Sequence, residues 1–278
     1  MSSVRRARLW LGTIVEIRVD GVDTPRALRA IEAAFAEIAS VHRLMSFHAE
    51  DSDLARLRLA PAGAPVRVNA RTYEVLEWSL RIAAVSDGAF DPTVAAALVE
   101  RGVLSVPRSI FVPAACADWR DIELLADERV RLRKPLWLDL GGIAKGYAVD
   151  RAIAVLHAHG AIHACVDAGG DLRVAGARAE RIAVRAADGG IFTALELSEG
   201  ALATSTSGNA QHMQGASRHA ITAGITASVA AATCMAADAL TKVVLANPAT
   251  AHTALRIFGA QGRVHEPHCG WRALDLAA

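Results

Sequence analysis

A chain of 278 residues, 53% of them hydrophobic, can fill a real core, which excludes a disordered tail or a peptide. Thirty Lys and Arg against 29 Asp and Glu leave a formal net charge of +1, so no global basic field is available to hold nucleic acid or an anionic membrane surface. The four cysteines, Cys116, Cys165, Cys234 and Cys269, follow neither paired CxxC metal spacing nor a compact disulfide framework, and read as reduced thiols.

The start, MSSVRRARLWLGTIVEIRVDG, has a broken apolar stretch, with Glu16 and Arg18 before any small-residue cleavage site, and reads as a first strand rather than a leader. Residues 13–19, TIVEIRV, alternate as a half-buried strand does. Thr24-Pro25 then opens a helix in which Leu28, Ile31, Phe35 and Ile38 keep helical spacing. A second helix is expected over residues 72–85, with Val75, Leu76, Leu80, Ile82 and Ala83 on its apolar side and Ser86-Asp87-Gly88 as its stop. Strands are expected at 122–125, 130–132 and 136–140, a helix at 145–157, and strands at 164–167, 172–174, 182–184 and 194–197. The alanine-rich run 227–246 reads as the longest buried helix. Its most apolar part, residues 227–237, is interrupted by Ser228 and Thr233 and meets Asp238. That is short of the roughly 20 residues that cross a bilayer, so no membrane segment is expected. The period switches repeatedly between two and about 3.6, which makes the fold class mixed, α+β or α/β. No linker, charge block or repeat divides residues 1–278, which read as a single domain. The missing leader and the cysteine usage point to the cytoplasm.

Several segments carry chemistry. Asp139-Leu140-Gly141-Gly142-Ile143-Ala144-Lys145 runs from an apolar stretch into a helix, so backbone N–H groups and a lysine converge where an anion could sit. The alternative is a tight glycine turn with Lys145 in solvent. Val166-Asp167-Ala168-Gly169-Gly170-Asp171 reads as a hairpin with acidic turn residues. Asp91, before Pro92, reads as a helix cap, with Ala89 and Phe90 beside it. The polar stretch Thr204-Ser205-Thr206-Ser207-Gly208-Asn209-Ala210-Gln211 reads as a loop over a site. Asp238 stands inside an apolar helix, where an unpaired charge is costly. Either Thr241 joins it as a hard oxygen ligand for Mg2+, or Lys242, at i+4, is its ion-pair partner.

Taken in order, these segments resemble the FAD:protein FMN transferase family, the ApbE flavin transferases. The resemblance runs from about Leu11 to Leu245, through Leu11-Gly12-Thr13, Met45-Ser46-Phe47-His48, Asp51-Ser52, Ser86-Asp87-Gly88-Ala89-Phe90-Asp91-Pro92-Thr93, the block from Asp139 to Asp150, the turn from Asp167 to Gly170, Ala203-Thr204-Ser205 and Ala237-Asp238-Ala239-Leu240. It implies an ApbE-like fold of two closely packed lobes with a flavin cleft between them. It also implies an enzyme that binds FAD, cleaves its pyrophosphate with Mg2+, and passes FMN to a Thr or Ser hydroxyl of an acceptor flavoprotein, releasing AMP. Carried over by position, Met45 and the backbone of Ala89, Phe90 and Asp91 would line the flavin or adenine pocket. Asp139 and Lys145 would contact the dinucleotide, and Ile221 would touch the flavin. Mg2+ would be held by Gly142, Asp238 and Thr241, with Asp238, Thr241 and Lys145 carrying the chemistry.

The chain departs from the family pattern at three places. Arg58 stands where a neutral Asn is usual. The Asp-Pro-x-Thr-Gly segment is absent after Arg218-His219-Ala220-Ile221. Lys242 stands where the metal-binding Thr is expected, with Thr241 one place early. Activity is therefore expected to be Mg2+-dependent through Thr241 or very weak, the alternative function being a non-catalytic flavin-binding protein on the same fold.

Overall fold

The structure is a computed structural model that describes residues 3–189, 191–208, 215, 217–249 and 251–274. Strands β1 (Ser3–Trp10) and β2 (Thr13–Asp20) form an antiparallel hairpin, turned at Leu11 and Gly12 with φ of 56° and 74°. The single strand expected at the start is thus a pair. Helix α1 (Thr24–Met45) opens on Asp23, whose carboxylate accepts from the Arg26 N–H at 2.9 Å. It buries Ala27, Ile31, Ala34, Phe35, Ile38 and Val41 along one stripe. Helix α2 (Asp53–Leu59), strand β3 (Pro65–Arg67), helices α3 (Ala70–Val85) and α4 (Ala95–Glu100), and strands β4 (Ile122–Leu125) and β5 (Arg129–Leu132) follow. Among the described residues β3, β5 and β4 form a small antiparallel sheet.

The second half builds the floor of the molecule. Helix α5 (Ala144–Ala158) leads into β6 (His163–Ala168) and β7 (Asp171–Ala175), then the hairpin of β8 (Glu180–Arg185) and β9 (Ile191–Leu197), then β10 (Gly200–Thr206) and β11 (Thr226–Ala231). Helices α6 (Cys234–Ala246) and α7 (Ala251–Ile257) and strands β12 (Gln261–Glu266) and β13 (Gly270–Leu274) complete the order. Among the described residues eight strands pair as β1-β2-β6-β7-β10-β11-β12-β13, antiparallel throughout. One face of this sheet carries Val15, Ile17, Val166, Ala203 and Val229 into the main core with α1, α5 and α6. Leu172, Val174 and Leu202 point the other way, onto Val184 and the β8–β9 hairpin. The period of two therefore turns Asp171 and Arg173 of β7, and Ala203 and Ser205 of β10, toward the helices.

Three expectations need correction. Residues 136–140 keep the alternation, with Leu136, Leu138 and Leu140 buried, yet form no strand. Their neighbours are loops rather than strands, with Asp139 N–H donating to the Pro92 carbonyl at 2.8 Å and Pro135 accepting from Ala114 at 2.9 Å. The run 227–246 is not one helix: β11 ends at Ala231, Thr233 caps the next element through the Ala236 N–H at 3.3 Å, and α6 begins at Cys234. The longest helix among the described residues is α1, at 22 residues. The polar stretch from Thr204 is no simple loop, because Thr204, Ser205 and Thr206 belong to β10, while Asn209, Ala210 and Gln211 lie outside the described residues.

α5 and α6 meet at Gly146. A Cβ there would stand 2.2 Å from the Cys234 carbonyl oxygen and 2.8 Å from the Met235 Cα, so the two backbones touch. Each helix then satisfies the other's start: Asp150 of α5 accepts from the N–H groups of Cys234 (2.9 Å) and Met235 (2.8 Å), and Asp238 of α6 accepts from the Gly146 N–H (3.1 Å).

Gly146→Ala is expected to force this crossing apart and to cost about 1–3 kcal/mol in a denaturant titration. A second test concerns Glu180 of β8, which receives Arg18, Arg178 and His163. Burial alone would raise its carboxyl, but the hydrogen bonds from Arg18, His163 and Arg178 outweigh it and bring the pKa to about 2. A depressed carboxylate stabilises above its unfolded pKa and loses that contribution as pH falls through the folded value. The stability gap between wild type and Glu180→Gln is thus expected to be widest near neutral pH and to close between about pH 4.3 and about pH 2.

Candidate functional site

The start of α5, the end of β10 and one face of α6 border a cavity of about 430 Å3. Its walls include Ala89, Phe90, Asp91, Asp139, Gly141, Gly142, Lys145, Ser205 and Lys242. An adjoining hollow of about 340 Å3 is lined by Met45, His48 and others, and shares Leu104, Asp139, Gly141 and Lys145 with the first. Met45, Ala89, Phe90, Asp91, Asp139, Gly142 and Lys145 are thus brought to one continuous cleft. Ile221 is half-buried against the main core and lines neither hollow.

Two buried carboxylates form the floor. Asp171, fully buried on β7, receives the Lys145 ammonium on Oδ2, while its Oδ1 is buried without a hydrogen-bond partner among the described residues. Asp238, fully buried on α6, receives the Lys242 ammonium on Oδ1 and the Gly146 N–H on Oδ2. Lys242 also donates to Ser205 Oγ at 2.9 Å. Thr241 donates to the Asp238 carbonyl at 2.7 Å and shares a hydrogen bond with Ser205 Oγ at 2.8 Å. A Cβ on Gly142 would lie 3.4 Å from both the Lys242 Cε and the Phe90 ring, so the lysine stem and the aromatic close over that backbone.

The electrostatics follow from burial against pairing. Burial would push the Asp238 carboxyl up, but Lys242 and Lys145 together hold it below the usual range. Burial, reinforced by neighbouring Asp238, pushes Asp171 up against the pull of Lys145. Burial would weaken the Lys145 ammonium, yet Asp238 and Asp171 raise its pKa. Asp139 is raised by burial, with the Gly141 N–H (3.0 Å), His48 and Lys242 acting the other way.

Asp91 does not cap α4. Its Oδ1 closes a local turn on Thr93, through N–H at 2.8 Å and Oγ1 at 2.7 Å, and its Oδ2 receives Arg218 at 3.1 Å. The α4 start has no side-chain cap. Arg58 is buried under the cleft mouth, donating to the carbonyls of Arg108 (3.0 Å) and Phe47 (3.3 Å) and stacking on the Phe47 ring at 5.3 Å. Sequence reasoning read Asp171 as a turn acid and Ser205 as part of a loop. The alternation of β7 and β10 is the signal that places both on the helix side.

Among the described residues no three His, Cys, Asp or Glu come together to hold a metal. Gly142, Asp238 and Thr241 lie around one ammonium: both Asp238 oxygens have partners and the Thr241 hydroxyl is turned to Asp238 and Ser205. As arranged, these residues do not fit Mg2+, which needs vacant oxygen ligands in near-octahedral order.

A mixed α/β fold with a cleft at a helix start, lined by two lysines, is the class this geometry defines. A family model described as the ApbE family matches residues 11–257, and the chain belongs to that family. It is similar to the FAD:protein FMN transferase of Treponema pallidum (strain Nichols), 31% identical over 181 residues, covering 60% of this chain and 50% of that protein. It is also similar to the FAD:protein FMN transferase of Rhodobacter capsulatus, 32% identical over 214 residues, covering 71% of this chain and 40% of that protein. The chain spans about half the length of the curated relatives it matches, as with the 52% of the Salmonella typhimurium protein. In fold it matches the ApbE protein of Thermotoga maritima with a TM-score of 0.85 at 23% identity, over 98% of this chain and 97% of that one. It also matches the flavin transferase ApbE of Vibrio cholerae, with a TM-score of 0.81 at 21% identity over 98% and 96%. No helix among the described residues is long and apolar enough to cross a membrane.

Replacing Arg58 by Met keeps bulk under the mouth but removes both carbonyl bonds. Arg58→Met is expected to cost about 1–3 kcal/mol and to speed limited proteolysis within residues 103–113 several-fold, read by mass spectrometry of the fragments.

Proposed function

We propose that this chain binds FAD in the cleft at the start of α5 and transfers its FMN half to a Thr or Ser hydroxyl of an acceptor flavoprotein, releasing AMP. The observation that carries the reading is the convergence of two ammonium groups, Lys145 and Lys242, on the Gly141-Gly142 backbone in one cavity. Such a volume suits a small-molecule ligand, and the cations suit the charged middle of a dinucleotide. The names of the relatives support the same choice of substrate. Met45 and the Ala89-Phe90-Asp91 backbone are the proposed flavin or adenine contacts, with Asp139 and Lys145 on the dinucleotide, while Ile221, outside both hollows, would reach the flavin only beyond them.

In the proposed reaction the acceptor hydroxyl oxygen attacks the FMN-side phosphorus. The bond from that phosphorus to the bridging oxygen breaks, and AMP leaves with the bridging oxygen. Charge spreads over the transferring group and the leaving phosphate, where Lys145 and Lys242 can balance it. Asp139, whose carboxyl burial pushes up, lines the cleft beside Lys145 and is the carboxylate we assign to take the hydroxyl proton. The Mg2+ expected at Gly142, Asp238 and Thr241 meets an ammonium there, and no step of this reaction is routed through it.

One observation favours a second reading, a flavin holder that does not cut FAD. The Asp238–Lys242 pair is closed, and a monovalent lysine neutralises less charge than a divalent ion would. The two readings separate when purified protein is incubated with FAD and the products are resolved by chromatography, beside an FAD fluorescence titration. With water taking the place of the acceptor hydroxyl, FMN and AMP are expected to appear, and Asp238→Ala to reduce the rate at least about tenfold, the effect of losing roughly 1.4 kcal/mol of transition-state stabilisation. Tight binding without cleavage would select the holder, and no FAD binding would overturn both.

A further inference from the structure

We propose that this chain carries its own cation at the diphosphate site. Lys242, held on Asp238, stands where a divalent ion would have to sit, and with Lys145 on Asp171 it forms a metal-free clamp for the diphosphate of a dinucleotide. The inference rests on the FAD reading for its ligand, but its claim about the ion stands on Asp238 and Lys242 alone.

Charge and donor accounting lead to it. On the floor two buried carboxylates face two ammonium groups, charge for charge, with Asp139 on the cleft wall beside them. A divalent ion at Asp238 would have to displace Lys242 from Oδ1 and then share the cavity with two like charges. Nor can Lys242 easily leave. Its side chain is 15% exposed, its stem is packed on Gly142, and its ammonium is shared between Asp238 and Ser205. A diphosphate meets the opposite situation. Each ammonium has three N–H donors. Lys242 spends donors on Asp238 and Ser205, and Lys145 on Asp171, so both keep N–H groups for the cleft they line. The buried aspartates hold the lysines in place, so the cations are ordered before the ligand arrives.

The test uses two titrations of the full chain. In the first, Mg2+ alone is titrated calorimetrically into wild type and into Lys242→Thr, which removes the ammonium and leaves a hydroxyl beside a freed Asp238 oxygen. Wild type is expected to show no saturable binding and Lys242→Thr to gain it. Mg2+ binding by wild type would overturn the proposal, and so would a folded Lys242→Thr that stays silent. In the second, FAD is titrated in excess EDTA and in millimolar Mg2+. Wild-type affinity is expected to agree within about twofold, and Lys242→Met to lose about tenfold or more in both buffers, the size of one charge-assisted hydrogen bond. Binding by wild type only with Mg2+ would overturn the metal-free clamp while leaving the FAD reading in place. Failure to bind FAD in either buffer would overturn the FAD reading and with it the clamp's ligand, and the Mg2+ titration would still decide whether Lys242 fills the ion's place. Circular dichroism establishes that each variant is folded. Should the neutral variants unfold, Lys242→Arg, which keeps a cation, is expected to bind FAD independently of Mg2+, and Mg2+-dependent binding by it would count against the proposal.

Discussion

The contact of α5 with α6 at Gly146 sets the rest of the site. Because no side chain separates the helices, the N–H groups at the start of each come within reach of a carboxylate on the other. A buried carboxylate is costly unless paired and hydrogen-bonded, and Asp238 and Asp150 are both. The same approach fixes the sheet beneath. Asp171 and Arg173, two apart on β7, face Lys145 and Asp150 of α5, so the two ion pairs run in opposite sense and set the strand's position under the helix. Lys145 is therefore positioned from below by the sheet and from the side by α6, at the place where the chain leaves Gly142 for the helix.

Much of this arrangement was legible because its parts are contiguous in the chain. Asp139, the glycine pair and Lys145 occupy one short block, and the fold needs only a turn and a helix start to bring them together. The same holds for α1, whose Thr24-Pro25 opening and apolar stripe give start and face at once. What failed to show was whatever depended on a distant partner. Residues 136–140 have a strand's alternation, but a strand also needs a neighbour with free N–H and C=O groups, and only loops lie beside them. In residues 227–246 alanine fills both strand and helix positions, so composition gives no period. The break rests on Thr233, a cap that resembles any other threonine until its bond to Ala236 is seen. Asp171 was visible as a residue but not as a floor carboxylate, because its meaning comes from Lys145 on another element.

The rule that buried charge must be matched also separates the two sequence readings of Asp238. Helical spacing puts both i+3 and i+4 on its face, and pattern alone favours neither. The surroundings decide: Thr241 is taken up by a carbonyl and by Ser205, whereas the longer Lys242 stem crosses Gly142 and brings its charge back to Asp238. A hydroxyl that already has both partners is a poor ligand, and an ammonium paired with Asp238 is a strong obstacle to another cation.

The mouth of the cleft obeys a different economy from its floor. Its segments around residues 47, 91, 108 and 117 are irregular chain with few ladder bonds of their own. Two arginines tie them together: Arg58 joins the carbonyls of Phe47 and Arg108, and Arg218 joins Asp91, Thr93 and the Ala117 carbonyl. A guanidinium offers five donors in a fixed fork, so one side chain can do between loops what a row of backbone bonds does between strands. Because neither arginine bonds to the floor lysines or their aspartates, the mouth can loosen without disturbing Lys145 and Lys242. The ties of the mouth and the charges of the floor are thus held by separate sets of bonds, the floor lysines resting on the sheet and the two crossed helices.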